Sequence, residues 1–134
     1  PTPQNMGSVM LSVRASEGPG VVAKRLLPKI DGSQSPIVIV EGIRSLQELN
    51  ELKSRYQVIL VAIHASPRTR FQRLLSRNRS DDPKDLETFE KRDFRELDVG
   101  LGYVLTLADL VLINEETIAE LQSAFKKAFS KLSL

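Results

Sequence analysis

Two continuous β-branched runs decide most of what this chain can fold into. Pro36 introduces Ile37-Val38-Ile39-Val40, Gln57 to Ile63 reads QVILVAI, and neither run alternates apolar with polar residues. A strand with one wet face alternates, so unbroken runs of this kind read as strands covered on both faces by crossover helices, the pattern of a parallel sheet. Between them Ser45-Leu46-Gln47-Glu48 has the form of a capping box, opening a helix whose Leu46, Leu49 and Leu52 face inward. Strand, helix, strand in that order is a crossover unit, and the expected class is α/β.

The other segments fit around that unit. Thr2-Pro3 is a helix start, with Val9, Met10 and Val13 as its stripe, and the helix should stop near Gly18-Pro19-Gly20. A second helix is expected from about Val21 to Ile30, ended by Asp31-Gly32. Ser66-Pro67 opens another, with Phe71, Leu74 and Leu75 on the apolar side and Arg70, Arg73 and Arg77 sharing the opposite face. A polar helix then runs to about Val99 and is broken by Gly100-Leu101-Gly102. Asp109 to Ile113 is a third short strand, and Asn114 is placed to cap a last helix with the stripe Ile118, Leu121, Phe125, Ala128 and Leu132.

Composition narrows the chemistry. A chain of 134 residues is one domain, read here as 1–134. Its net charge of +2 argues against wholesale nucleic-acid binding. Zero cysteines and a single histidine, His64, exclude disulfides, thiolate zinc sites, a cysteine nucleophile and a histidine-built metal cluster. No apolar run approaches the roughly 20 residues that cross a bilayer, and no export leader opens the chain, so a cytoplasmic location is expected. Carboxylates, arginines and backbone are left to do the work.

Two constellations stand out. Glu41-Gly42-Ile43-Arg44 falls at the carboxyl end of the first run, where open α/β sheets bind ligands. There Glu41 could hold magnesium, Gly42 could let the backbone approach a ligand, and Arg44 offers a planar fork for phosphate. A turn glycine flanked by surface charges is the plain alternative. The second is a concentration of arginine, seven of the eleven lying between Arg68 and Arg95. Phosphoryl transfer needs several rigid donors around the moving group, although Asp81, Asp82 and the acids that follow could equally pair with these arginines on a solvated helix. His64 lacks an orienting partner and is assigned no chemistry.

The order IVIVEGIRS, RLLSRNRSDD with ETFEKR, then ADLVLIN resembles the P-loop kinases related to dephospho-CoA kinase and adenylate kinase, and within them a mostly archaeal dephospho-CoA-kinase-like group. The resemblance covers nearly the whole chain. It implies a three-layer Rossmann-like P-loop NTPase (nucleotide kinase) fold with a parallel sheet. Residues 1–32 would be an acceptor-binding helical region, 36–65 and 100–134 the core, and 66–99 an arginine-rich LID-like segment. By the same resemblance Glu41 is the magnesium ligand, and Arg44 with Gly42 meets the acceptor. Arg73 and Asn114 lie at adenine, and Arg77, Arg79 and Arg92 contact the transferring phosphoryl group. The implied cofactors are ATP and Mg²⁺, and the implied partner is a small acceptor of the dephospho-CoA or nucleoside monophosphate type; composition, rather than the likeness, gives the expectation of no membrane partner and argues against nucleic acid.

One departure is plain. The phosphate cradle G-x-x-x-x-G-K-[ST] is absent, since none of Gly7, Gly18, Gly20, Gly32, Gly42, Gly100 and Gly102 is followed by lysine. The expectation is therefore a kinase core lacking its first strand and P-loop, with an upstream segment or another chain completing the sheet, because two buried strands left without their central neighbour would expose open edges. The alternatives are a non-catalytic nucleotide-binding or regulatory module, or an inactive fragment.

Overall fold

The computed structural model describes residues 6–131. In chain order the elements are α1 (Met6–Glu17), α2 (Val21–Asp31), α3 (Leu46–Lys53), β1 (Val61–His64), α4 (Pro67–Arg77), α5 (Leu86–Val99), α6 (Leu101–Thr106), β2 (Leu110–Ile113) and α7 (Ile118–Phe129). The fold is α/β, and β1 and β2 pair in parallel with Val61 opposite Leu110 and His64 opposite Ile113. Among the described residues no helix is long and apolar enough to cross a membrane. Two compact units divide the chain, one running to Val58 and including Arg92–Val104, the other comprising Ile59–Lys91 and 105–134.

The first unit is built on α1, α2 and α3. Leu27 and Ala23 of α2 close on Leu52 of α3, and Ile30, Val40, Ile43, Tyr56 and Val58 pack against them. Beside that apolar cluster lies a buried charge. Ser45 caps α3 by accepting from the Glu48 amide, and the fully buried Glu48 carboxylate accepts from Arg14 Nη2 at 2.6 Å, Arg14 Nε at 3.2 Å and the Arg44 amide at 2.8 Å. The expected capping box is thus half formed, because Glu48 reaches one residue further back and joins α1 to α3. Gly100 stops α5 with φ of 116°, and a Cβ there would sit 3.6 Å from the Arg44 carbonyl. Gly102, expected to share in that break, lies within α6.

In the second unit β1 and β2 are closed at both ends. Asp109 accepts from the Leu60 amide at 2.8 Å and returns its own amide to the Leu60 carbonyl, while the Asn114 amide donates to the His64 carbonyl at 2.7 Å. Phe89 is 2% exposed, its ring centroid 5.3 Å from that of Phe71, and the Arg70 guanidinium lies over the Phe89 ring, 5.2 Å from its centroid. Thr117, rather than the expected Asn114, caps α7 in a full capping box with Glu120. Leu132 and Thr2-Pro3 lie outside the described residues.

The largest correction concerns Ile37–Val40, which forms no strand. Ile37 is 63% and Ile39 91% exposed, and only Val40 turns onto the core. β structure requires a neighbour whose N–H and C=O groups complete the ladder, and among the described residues none pairs with this run. The Ser35 hydroxyl instead donates to the Ile37 carbonyl at 2.7 Å and accepts from the Ile37 amide at 3.3 Å. The run at Gln57–Ile63 likewise shortens to Val61–His64, because β2 offers only four partners.

These differences predict contrasting stabilities. Leu49→Ala, at a site 2% exposed, should lower unfolding free energy by about 2–5 kcal/mol, whereas Ile39→Ala should stay within about 0.5 kcal/mol of wild type; urea unfolding checks both. Glu48→Ala strands the Arg14 guanidinium and should cost about 3–5 kcal/mol in the same assay.

Candidate functional site

Because Ile37–Val40 is not a strand, Glu41–Arg44 does not lie at a strand's carboxyl end. The crevice position passes to the ends of β1 and β2, where Ala65-Ser66 and Asn114-Glu115-Glu116 emerge side by side. Ser66 has extended ψ, and its hydroxyl accepts from the Thr69 amide at 3.3 Å, with Pro67 presetting the first turn of α4.

From that start, spacings of three and four give the arginines of α4 three separate partners. Arg70 donates to the Ala65 carbonyl at 3.0 Å. Arg73 donates through Nη1 to the Asn114 carbonyl at 2.6 Å and through Nη2 to the Glu116 carbonyl at 2.9 Å, yet remains exposed. With both Nη groups committed to main chain, its guanidinium is a fixed planar surface suited to stacking under a flat ring. The structure therefore brings Arg73 and Asn114 together, across 41 residues of sequence.

Glu115, which the sequence reading passed over, holds this corner from the other side. Its carboxylate accepts from the Ser66 amide and from the hydroxyls of Thr69 and Ser66. The Thr69 hydroxyl first, then the Ser66 amide, hold its carboxyl below the usual range. Nothing local in Asn114-Glu115-Glu116 announces this, since the partners lie 46 and 49 residues away.

Arg77 at the last turn of α4 grips Asp82 with two donors, Nε at 3.0 Å and Nη2, and the Arg79 amide donates to the same carboxylate at 2.9 Å. Asp82 is 4% exposed, and the Arg77 guanidinium pulls its carboxyl far below the ordinary carboxylate range. Asn78 supplies the left-handed turn with φ of 50°, and Lys84 donates to the Arg79 carbonyl at 3.0 Å. Residues 78–85 are thus a tied loop, presenting the exposed Arg79 side chain without an ion pair to any described residue.

The remaining candidates belong to the first unit. Arg44 Nε pairs with Glu96 at 3.2 Å, and Arg92 lies half-buried in α5. Gly42 is exposed with φ of 83° and nothing within 4 Å of a Cβ, so the backbone conformation favours glycine there and leaves that side of the chain open. Glu41 is exposed, and no group of three or more potential ligands gathers among the described residues. A single carboxylate suffices for Mg²⁺ only when phosphates and water complete its shell.

No family model matches the chain. It is 43% identical over 136 residues to the UPF0200 protein PF1294 of Pyrococcus furiosus, covering 98% of this chain and 73% of that protein. It is 41% identical over 133 residues to a UPF0200 protein of Hyperthermus butylicus, covering 99% and 72%, and 38% identical over 132 residues to the UPF0200 protein MmarC6_1392 of Methanococcus maripaludis, covering 97% and 72%.

A carboxyl held low by its partners stabilises the fold above its unfolded value near 3.8 and ceases to do so as pH falls through its folded value. Asp82→Asn should therefore lower the thermal midpoint most at neutral pH. The gap from wild type should narrow steadily below about pH 4, as read by circular dichroism melts from pH 7 to pH 2.

Proposed function

We propose that this chain, which belongs to the UPF0200 family, is the nucleotide-binding part of an ATP-dependent kinase that phosphorylates a small acceptor of the dephospho-CoA or nucleoside monophosphate type. The observation that carries the reading is the Arg73 guanidinium, fixed by two carbonyls of the β2–α7 loop at the carboxyl end of a parallel strand pair. That arrangement offers a planar cationic surface where α/β sheets take ligands, and it suits an adenine ring. The finer fold in this reading is a Rossmann-like P-loop NTPase.

Within that reading each residue has a task. Arg73 stacks with the ring, and the Asn114 carboxamide, without a hydrogen bond to any described residue, meets its polar edge. Arg79 and Arg92 supply charge to the phosphoryl group. Arg77 joins them only by sharing or releasing Asp82, so its first role is to hold the 78–85 loop. Arg44 and Gly42 serve the acceptor, and Glu41 lends one carboxylate to Mg²⁺. ATP would supply the phosphoryl group, with Mg²⁺ neutralising charge on its oxygens.

A second reading, nucleotide binding without transfer, is favoured by the commitment of Arg77 to Asp82. Titration with a fluorescent ATP analogue tests what the two share. Arg73→Ala should weaken binding about 3- to 30-fold, and unchanged affinity would overturn the site. Detection of ADP with a phosphorylated acceptor selects the kinase, and binding without product selects the module.

A further inference from the structure

The first unit contains a cleft of about 340 Å³ that none of the residues discussed above for phosphoryl transfer lines. Leu11 and Arg14 of α1, Pro19, and Arg95, Asp98 and Val99 of α5 form its walls. Their charges are not equivalent. Two of Arg14's nitrogens are engaged by the buried Glu48. Among the described residues Arg95 has one ion-pair contact, a long one of 3.7 Å to Glu96, whose other oxygen pairs with Arg44 at 3.2 Å. Asp98, one helical turn beyond Arg95, has no ion pair with any described residue, and the two do not pair with each other.

The position of Arg95 depends on a glycine. Its guanidinium lies against α1 at Gly7, where a Cβ would come within 2.8 Å of Nη1. An ordinary side chain at position 7 would push those donors from their place. The cleft thus offers a cation and an anion on one helix face beside an apolar floor of Leu11, Pro19 and Val99. A simple anion would leave Asp98 unmatched, and a purely apolar molecule would strand both charges.

We propose that this cleft, whose lining also includes Ser45 next to Arg44, extends the acceptor site beyond Arg44 and takes a phosphomonoester with a ring body and free hydroxyls. Its phosphate meets Arg95, with Arg14 behind, a hydroxyl donates to Asp98, and the ring covers the floor. The identification of the ligand as an acceptor rests on the kinase reading, whereas the chemistry of the cleft stands on these residues alone.

Isothermal titration of the full chain with CMP and with dephospho-CoA, using inorganic phosphate as the anion-only probe, tests the assignment. At least one ring-bearing probe should bind more tightly than phosphate, and Arg95→Ala and Asp98→Asn should each weaken it about tenfold. Gly7→Ala should weaken it too while leaving the thermal midpoint equal or higher, since alanine favours α1. That combination separates a displaced guanidinium from a damaged fold. Failure of both ring-bearing probes to bind, or affinity unchanged in both Arg95→Ala and Asp98→Asn, would overturn the proposal. ATP titrated in parallel judges the nucleotide reading separately: acceptor binding without ATP binding removes that reading and leaves the cleft, and the converse removes the cleft alone.

Discussion

A strand lasts only as far as its neighbour, and the second unit follows from that constraint. β1 and β2 are each four residues long because their shared ladder is, and the ladder is sealed by Asp109 at one end and by the Asn114 amide on the His64 carbonyl at the other. Parallel pairing sends both chains out of the same end of the sheet. Ser66 and Glu115 consequently become neighbours, α4 starts beside the β2–α7 loop, and Arg73 comes within reach of that loop's carbonyls.

In the first unit the comparable knot is electrostatic. Glu48 is wholly buried, so its carboxylate must be matched, and it accepts from two nitrogens of Arg14 on α1 and from the Arg44 amide. The apolar cluster around Leu27 and Leu52 would tolerate many arrangements of greasy side chains. A buried carboxylate with three donors tolerates few, and it fixes where α1 lies against α3.

What could be read from the sequence was local. Helix starts at Ser45 and Ser66, the glycine stop at Gly100 and the α/β class depend on short-range patterns, and they are present in the structure, although the parallel strands that pair are β1 and β2 and not the two runs of the expected crossover unit. Ile37–Val40 misled because a β-branched run reports what a segment is suited to and carries no information about whether a neighbour stands beside it. Asn114 as a cap failed for a nearer reason: Thr117 with Glu120 makes a reciprocal pair that a lone asparagine does not. At the candidate site the likeness implied a place at adenine for Arg73 and for Asn114 separately, and the bond from the Arg73 guanidinium to the Asn114 carbonyl joins residues 41 apart that no spacing connects. The roles of Glu115 and Asp82 in tying the loops involve side-chain partners that no local pattern identifies, and the Arg95–Asp98 cleft depends on a glycine 88 residues before Arg95, which is invisible until the helices are packed.

The carbonyl anchorage of Arg73 has an evolutionary side. Every residue carries a carbonyl, so replacements at positions 114 and 116 leave the guanidinium seated as long as the loop keeps its path. The side chains there can change without unseating the guanidinium. A carboxylate anchor would have bound the arginine's placement to the identity of one residue; a main-chain anchor binds it to the course of the loop instead.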